Sequence, residues 1–249
     1  YGYTAGGLLR VVRDGEGRAL VRYAYDPLGR RVLREDPQGQ RRWVWDRDRL
    51  VAELDGEGKV LARYVYAGEA DALVACVLEG RTYYVHRDRR GSVRLLTDAA
   101  GAVVARYRYG AFGEPVAAEG PLAARFPFRW AARYQDPATG LLYHRARAYD
   151  PRTARILTPH PAGWLGGLNP YAYAGNDPLN HDDPSGLLPH VVIGALVGAV
   201  LGAGTSVAIS LLNGERPNWK DVVATTVAGA AIGGLFAGTA GMAIFAKSA

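Results

Sequence analysis

The stretch that decides the fold is RALVRYAYDPLGRR, residues 18–31. In its first half, every second side chain shares one face of an extended chain, and these are Ala19, Val21, Tyr23 and Tyr25. A period of two residues predicts a β-strand. The second half, DPLG, combines an Asp that bonds its own backbone with a Gly that tolerates positive φ. It therefore predicts a tight turn into a following strand.

The same pattern recurs along the chain. Pairs of ring-bearing side chains, separated by one residue, start at Tyr1, Tyr23, Trp43, Tyr64, Tyr84, Tyr107 and Phe128. The steps between these positions are 22, 20, 21, 20, 23 and 21 residues. Gly-containing turns lie between the pairs, for example DGEGR from Asp14 and DGEGK from Asp55. A nearly constant step indicates an internal repeat.

Each repeat predicts a hairpin of two strands, which is too small to be stable alone. Stacked in order, the hairpins form one continuous antiparallel sheet, with the aromatic pairs in register as a ladder across it. Because Tyr and Arg are frequent and Phe is rare, we expect the inner face to line a hollow rather than to fill one. An ordinary β-sandwich with Tyr in its core is the alternative, and the regular step argues against it.

Composition limits the classes of partner. The formal net charge of +6 raises affinity for polyanions without specifying one. The arginines sit singly at alternating positions, so we expect a solvated sheet face and no nucleic-acid partner. The single Cys76 lies among apolar residues, which indicates a buried thiol. The chain begins inside a repeat at Tyr1 and shows no signal peptide, so we interpret it as a fragment whose upstream repeats are missing.

From Arg133 the composition of the chain changes. This segment reads RYQDPATGLLYHRARAYDPRTARILTPHPAGWLGGLNPYAYAGNDPLNHDDPSGL. Asp-Pro steps are dense here, and most of them simply start turns. Together with the preceding YVHRDRRGSVRLLTDAAGAVVARYRYGAFGEP, this segment resembles the Rhs (YD-repeat) family and its Rhs repeat-associated core domain. The family is related to the C component of Tc toxins. The resemblance covers about residues 1–187.

The resemblance implies a mainly β fold. Its YD repeats form an antiparallel β-sheet spiral, or cocoon, around a variable C-terminal toxin, and the core segment plugs one end. It also implies that the core is an intramolecular aspartyl protease that cuts just after a DPxGL motif. In this sequence the motif is DPSGL, residues 183–187, so the scissile bond would join Leu187 and Leu188.

The resemblance further implies partners and a location. The partners are the protein's own toxin segment, lying beyond residue 249 or formed by the tail, the upstream Rhs repeats, and a secretion-system adaptor. The resemblance implies a bacterial protein that is secreted or delivered at the cell surface.

One position departs from the family pattern. The family has an Asp-Pro before the stretch xGGLNxYxY, and the matching residue here is His160. An aspartyl protease needs two carboxylates that share one proton. Asp183 would be one of them, and an imidazole cannot share a proton in that way, so we expect self-cleavage to be impaired. Asp182 points away from Asp183 in an extended segment. Asp150 and Asp177 are substitutes without a motif to support them.

The sequence gives little support for any other catalytic or metal site. His144 and His181 lack metal-ligand partners at a recognisable spacing, and one Cys cannot build a zinc site. Ser92 and Ser185 have no His arranged to activate a nucleophile. We expect no cofactor and no metal.

The tail contains two apolar runs, residues 191–212 and 222–246, separated by the polar NGERPNWKD. Glycines recur every fourth residue at 194, 198 and 202, which lets two helix backbones approach closely and predicts an α-helical Gly/Ala-rich hairpin. Both runs are long enough to span a bilayer. Membrane contact through 191–246 therefore competes with a packed linker between core and toxin, which the resemblance favours.

The expected organisation has three parts: YD repeats over 1–132, the core plug with its cleavage motif over 133–187, and the pre-toxin hairpin over 188–249. The expected function is that of a shell that encapsulates a toxin and releases it by cleavage after Leu187. The alternative, from another class, is a cell-surface carbohydrate-binding or adhesion module built from YD repeats without toxin release.

Overall fold

The computed structural model describes residues 1–68, 71–161, 169–183, 185–186, 190–213 and 216–246. The chain divides into two compact units, Tyr1–Leu187 and Leu188–Ala249. The first unit is built mostly of strands and the second of two helices. The predicted mainly β fold with a helical tail is therefore confirmed. The boundary expected between residues 132 and 133 stays a prediction.

The repeats form one antiparallel sheet of 12 strands, in which each strand is hydrogen-bonded to the next in sequence. The strands are β1 Gly2–Tyr3, β2 Leu9–Arg13, β3 Ala19–Tyr25, β4 Arg31–Asp36, β5 Gly39–Asp46, β6 Arg49–Asp55, β7 Val60–Tyr66, β8 Leu73–Leu78, β9 Arg81–Arg87, β10 Val93–Thr97, β11 Val103–Tyr109 and β12 Pro115–Glu119. The continuous sheet predicted from the repeat is confirmed.

An Asp-to-Gly turn joins many of the hairpins, and its geometry explains the spacing of these residues. At the first such turn, Asp14 Oδ1 accepts the backbone N–H groups of Glu16 and Arg18, both at 2.9 Å. Gly17 then adopts a φ of +83°, which favours glycine. Asp26 makes the same two bonds in the DPLG turn, again at 2.9 Å.

Alternation places the aromatic pairs on one face, which we call the inner face. In β3, β5, β7 and β11, the first residue of the pair is buried and the second is half-buried, and the pairs are Tyr23 and Tyr25, Trp43 and Trp45, Tyr64 and Tyr66, and Tyr107 and Tyr109. The residue directly before each pair points to the opposite, outer face and is exposed. The predicted ladder is thus confirmed for these four pairs.

Three of the seven predicted aromatic pairs do not lie on the inner face in this way. Tyr84 is 49% exposed on the outer face, and its neighbours Tyr83 and Val85 point inward instead. A shift of one residue in a strand exchanges the two faces, which is how the sequence pattern misled here. The Tyr1 pair lies at the edge of the sheet and is partly exposed. The Phe128 pair lies outside the sheet altogether.

A second, four-stranded sheet follows in the order β13 Tyr134–Gln135, β14 Leu142–His144, β15 Arg147–Asp150 and β16 Arg155–Ile156. We call residues 120–161 the closing segment. It packs on the inner face: the rings of Trp43 and Tyr134 lie 4.6 Å apart, and those of Tyr64 and Phe128 lie 4.8 Å apart. The inner face is therefore covered by an aromatic core here, not left to line a hollow as expected. An open cleft of about 960 Å³ remains beside Arg41.

Three carboxylates join the sheet to the closing segment, and of these Asp136 and Glu53 are buried and Asp71 is half-buried. Asp136 accepts hydrogen bonds from the Tyr23 hydroxyl and from Arg34 Nε, both at 2.8 Å. Glu53 accepts from the hydroxyl groups of Tyr64 and Tyr134, and Asp71 pairs with Arg133 and Arg145. An ionised carboxylate is tolerated in the interior only when it is paired in this way.

The arginines fall into two sets. One set is exposed on the outer face, as expected, whereas another is buried and includes Arg31, Arg34 and Arg129. The Arg31 guanidinium lies 3.7 Å from the Tyr23 ring centre and 4.3 Å from that of Tyr143. This stacking holds a cation in an aromatic interior, so the expectation of solvated arginines is wrong for the buried set.

The second unit consists of helices α1 His190–Leu212 and α2 Trp219–Ala246. A Cβ on Gly202 would lie 2.1 Å from the Thr225 carbonyl oxygen, and one on Gly229 would lie 2.1 Å from that of Gly198. Glycine is thus required where the two backbones cross, and the predicted helical hairpin is confirmed. Within the part of the chain that the structure describes, no helix has the length and apolar character needed to cross a membrane.

Replacing Asp136 by Asn should destabilise the first unit, because both carboxylate oxygens are acceptors and an amide has only one. Oδ2 accepts from Tyr23 and Arg34, and Oδ1 accepts the backbone N–H groups of Ala138 and Thr139. Burial by itself raises the pKa of Asp136, but the hydrogen bond and charge of Arg34 outweigh it and lower that pKa. The contribution is therefore full above the ordinary carboxyl pKa and is lost as pH falls through the lowered pKa. We expect a loss of about 2–3 kcal/mol in the free energy of unfolding at pH 7, measured in urea.

The loss should stay below that of a fully broken pair because Arg34 keeps its 2.6 Å contact with Asp36. Asp14→Asn is the matched control, since Asp14 occupies the same kind of turn at the surface. It should change the stability little. Equal losses in the two variants would contradict a special role for the buried pair.

Candidate cleavage site

The DPSGL motif begins at a buried ion pair. Asp183 is 2% exposed, and its Oδ2 lies 3.0 Å from Nη2 of Arg147 on β15. The Ser185 hydroxyl donates to Asp183 Oδ1 at 3.3 Å. Positions 184, 187 and 188 lie outside the described residues, so the predicted scissile bond between Leu187 and Leu188 does too.

The motif docks on the hairpin formed by β14 and β15. The Ala146 N–H donates to the Ser185 carbonyl at 3.3 Å, and Arg147 Nε donates to the Gly186 carbonyl. Gly186 has a φ of +74°, and a Cβ there would lie 2.1 Å from the His144 carbonyl oxygen. The glycine of the motif is therefore required by both backbone conformation and space. This docking fixes the chain one residue before Leu187.

A cluster of aromatic side chains and His144 contacts the backbone of Asp183. The ring of Tyr173 lies 5.0 Å from those of Trp130, His144 and Tyr149. The Asp183 N–H donates to the Tyr173 hydroxyl at 3.4 Å, and His144 Nδ1 lies 3.3 Å from the Asp183 carbonyl oxygen. These contacts hold the backbone of Asp183 on two sides.

The electrostatics of the two histidines follow from burial among arginines. Burial lowers the pKa of His144 well below its usual value, and the charges of Arg133 and Arg147 lower it further. A neutral imidazole therefore contacts Asp183. Its Nε2 has no hydrogen-bond partner among the described residues.

His160 is 7% exposed and belongs to the same charged group. Burial lowers its pKa, the charge of Arg147 lowers it too, and the charge of Asp183 acts in the opposite direction. His160 thus interacts electrostatically with both partners of the ion pair. Of the two positions singled out in the sequence, His160 therefore lies within electrostatic range of Asp183, and their catalytic roles stay predictions.

The other candidate carboxylates are engaged elsewhere. Asp150 accepts the Arg152 N–H at 3.0 Å, and Asp177 accepts the Asn180 amide at 2.8 Å in an exposed turn. Asp182 is half-buried.

The other nucleophile and metal candidates serve the fold. The Ser92 hydroxyl accepts the Ala131 N–H at 3.0 Å. Burial raises the pKa of the Cys76 thiol to about 12. Among the described residues, no group of His, Cys, Asp and Glu is placed to hold a metal ion.

Sequence reasoning missed Arg147 and His144 as parts of the site. Arg147 contacts both the Asp183 carboxylate and the Gly186 carbonyl, and it is 5% exposed. The sequence of β15, RAYD, gives no such signal, because the burial of all four residues appears only in the structure. A charged residue in such a strand needs a buried partner, but nothing in the sequence says which one.

A continuous sheet of repeated hairpins, covered on its inner face by a turn-rich closing segment, defines a YD-repeat shell. The family profile described as Teneurin YD-shell matches residues 1–179, and the chain belongs to this family. The resemblance to Rhs proteins is thereby confirmed. The chain has the repeat sheet of an Rhs-type shell.

Two curated relatives illustrate the similarity. The chain is 35% identical to double-stranded DNA deaminase toxin A of Burkholderia cenocepacia, over 73% of this chain and 15% of the relative. It is also 35% identical to the toxin protein Tse5 of Pseudomonas aeruginosa, over 76% of this chain and 17% of the relative. The chain thus spans less than a fifth of these relatives' length.

The solved structures agree on the fold. The crystal structure of TcdB2-TccC3 matches with a TM-score of 0.60 and 26% identity, over 75% of this chain and 10% of that chain.

Replacing Gly186 by Ala should release the motif from the β14–β15 hairpin, because the new Cβ would meet the His144 carbonyl. We expect hydrogen exchange at the Ala146 amide, which donates to Ser185, to accelerate by about tenfold or more. Gly140→Ala is the matched control, since Gly140 has the same φ of +74° and a Cβ there meets nothing within 4 Å. Equal acceleration in both variants would show that backbone strain alone is responsible.

The buried His144 should make the first unit sensitive to mild acid. Its pKa is lowered in the folded state, so below the ordinary pKa of about 6.5 the unfolded chain takes up a proton that the folded chain refuses. Stability should then fall by about 1.4 kcal/mol per pH unit between pH 6 and 5. His144→Gln should reduce this slope in urea titrations, and His86→Gln, at an exposed position, is the control. An unchanged slope in His144→Gln would contradict the assignment.

Proposed function

We propose that this chain is the C-terminal part of a secreted Rhs-type shell that encapsulates and delivers a C-terminal toxin, with a weakened aspartyl-type cleavage site after Leu187. The observation that carries the proposal is the docking of DPSGL beside the Asp183–Arg147 ion pair, with His160 interacting with both groups. The two helices of 188–249 serve as the linker from shell to toxin. Relatives whose printed names are toxins support the delivery role.

Arg147 positions the segment to be cut. It binds the Asp183 carboxylate through Nη2 and the Gly186 carbonyl through Nε, so one side chain sets the carboxylate against the chain entering the scissile bond. Holding both parts in one molecule removes the entropy cost of a bimolecular encounter. The contact with Gly186 thus lies one residue before the proposed scissile bond.

The proposed cleavage site is weakened at the second of its two proton-transferring groups. In an aspartyl mechanism one carboxylate takes a proton from water, and the other donates a proton to the carbonyl oxygen. Asp183 provides the carboxylate, and His160 stands where the second acid is expected. Burial and Arg147 lower the pKa of His160, so its imidazole is neutral near pH 7 and is a poor proton donor. Cleavage is therefore slow.

Replacing His160 by Asp should restore the pair and accelerate cleavage by at least about a hundredfold, because a positioned general acid contributes 10²–10⁴-fold. The measurement is intact mass over time for the purified chain. The wild type should persist at 26.8 kDa, whereas His160→Asp should give a fragment that ends at Leu187.

Two further variants separate the site from general acidity. Asp183→Asn in the His160→Asp background should abolish cleavage. His181→Asp adds a carboxylate at a half-buried position two residues from Asp183 and should leave the chain intact. The proposal fails if the wild type cleaves as fast as His160→Asp. It also fails if folded His160→Asp stays uncut.

A further inference from the structure

Asp71, in the loop between β7 and β8, binds an arginine with each of its carboxylate oxygens. Its Oδ2 lies 2.5 Å from Nη2 of Arg133, and its Oδ1 lies 2.8 Å from Nη2 of Arg145. Its backbone carbonyl accepts a further hydrogen bond from Arg87 on β9 at 2.9 Å. Arg133 and Arg145 belong to the closing segment. One residue from the repeats therefore holds two arginines of the segment on which the DPSGL motif docks.

Arg145 lies in the turn between β14 and β15, next to the residues that bind the motif. The Ala146 N–H and His144 Nδ1 each lie 3.3 Å from a backbone carbonyl oxygen of DPSGL. Arg145 itself has a φ of +52°, which residues other than glycine seldom adopt. Such a conformation persists only where the surroundings hold it, and Asp71 does so through the Arg145 guanidinium.

Arg133 interacts with two carboxylates, one from the sheet and one from the motif. Burial lowers the pKa of Arg133, but the charge and hydrogen bond of Asp71 raise it, and the charge of Asp183 raises it as well. Asp183 itself pairs with Arg147 at 3.0 Å. The Arg133 Nε has no hydrogen-bond partner among the described residues, so this guanidinium keeps a donor to spare. Arg133 is thus hydrogen-bonded to Asp71 while lying within electrostatic range of Asp183.

The charge of Asp71 is what keeps Arg133 in place. Burial raises the pKa of Asp71, but the charges of Arg133 and Arg145 outweigh burial and lower that pKa, so the carboxylate is ionised near pH 7. A buried guanidinium that loses its carboxylate must find another, because an unpaired charge in the interior is costly. Asp183 already acts on Arg133 through its charge. Without Asp71, Arg133 would therefore compete with Arg147 for the Asp183 carboxylate.

We propose that Asp71 is a positioning residue for the cleavage site, which holds the β14–β15 turn through Arg145 and keeps Arg133 off the Asp183 carboxylate. The inference rests on the proposed function and adds a requirement to it. A carboxylate that is shared between two arginines accepts a proton less readily, so Asp183 would be a weaker base with Arg133 beside it. Because Asp71 comes from the repeats, the site is competent only when the β7–β8 loop has reached the closing segment. The repeat sheet thereby controls release of the C-terminal segment.

Hydrogen exchange at the Ala146 amide tests the positioning in the whole chain without any cleavage. Asp71→Asn should accelerate this exchange at least about tenfold, because the turn loses the contact that holds Arg145. Asp48→Asn is the matched control, since it removes the same charge from an exposed carboxylate that acts on Arg145 through its charge. Its exchange rate should stay within about twofold of the wild type. Equal acceleration in the two variants would overturn the proposal.

The rate of cleavage tests the restraint on Arg133, in whole chains that carry His160→Asp. Adding Asp71→Asn should slow the appearance of the fragment that ends at Leu187 at least about tenfold, because a small misplacement of reacting groups has an effect of this size. Adding Arg133→Gln instead should leave the rate within about threefold, since it removes the competing cation and leaves Arg145 paired. Both variants break the same ion pair, so a purely structural role predicts similar losses. Equal slowing by the two would overturn the proposal.

Thermal unfolding shows whether each variant is folded. If Asp71→Asn does not fold, Arg145→Gln replaces it in the exchange experiment, because it removes the contact with the turn and leaves the Asp71–Arg133 pair in place. Unchanged exchange at Ala146 in that variant would overturn the proposal. If His160→Asp alone is not cut, the proposed function fails, and exchange at Ala146 still decides whether Asp71 positions the motif.

Discussion

A hairpin repeat cannot bury its own inner face, and the rest of the structure depends on how that face is covered. Each repeat points large rings such as Trp43, Tyr64 and Tyr107 to the same side. Burying one large apolar side chain contributes about 1.5–3 kcal/mol, so an uncovered ladder would forfeit much of the stability of the sheet. The closing segment supplies the missing layer with Phe128 and Tyr134, which contact the ladder ring to ring.

Covering the ladder forces charged groups into the interface. Asp136 reaches the sheet with a carboxylate that must find cationic or hydroxyl partners, and Arg34 and Tyr23 provide them. Such buried pairs add little net stability over an apolar core, but they penalise any other alignment, because a misplaced charge would be left unpaired. Asp71 forms ion pairs of the same kind with Arg133 and Arg145. The pairs thus set the position of the closing segment, and the rings supply the stabilisation.

The sequence was informative wherever the physics is local. Period-two alternation and the Asp-to-Gly turns predicted the strands and their order. In TYYVHR both Tyr83 and Tyr84 fit an alternating pattern, so local reasoning could not choose between two registers one residue apart. The covered inner face escaped prediction because its partners lie far along the chain. For the same reason DPSGL and His160 were visible as motifs, whereas Arg147 became a site residue only through tertiary contact.

The candidate site depends on the same covering step. Asp183 is held by Arg147 and His144 on β14 and β15, and this small sheet is itself anchored to the repeats. The Tyr149 hydroxyl donates to the Phe112 carbonyl at 2.6 Å, and the Tyr143 hydroxyl accepts the Arg31 N–H at 3.0 Å. Before the closing segment docks, no folded element holds the ion pair and the motif in fixed positions relative to each other. Under the proposed mechanism, cleavage therefore cannot precede closure of the sheet, and a shell whose inner face is uncovered keeps its C-terminal segment attached.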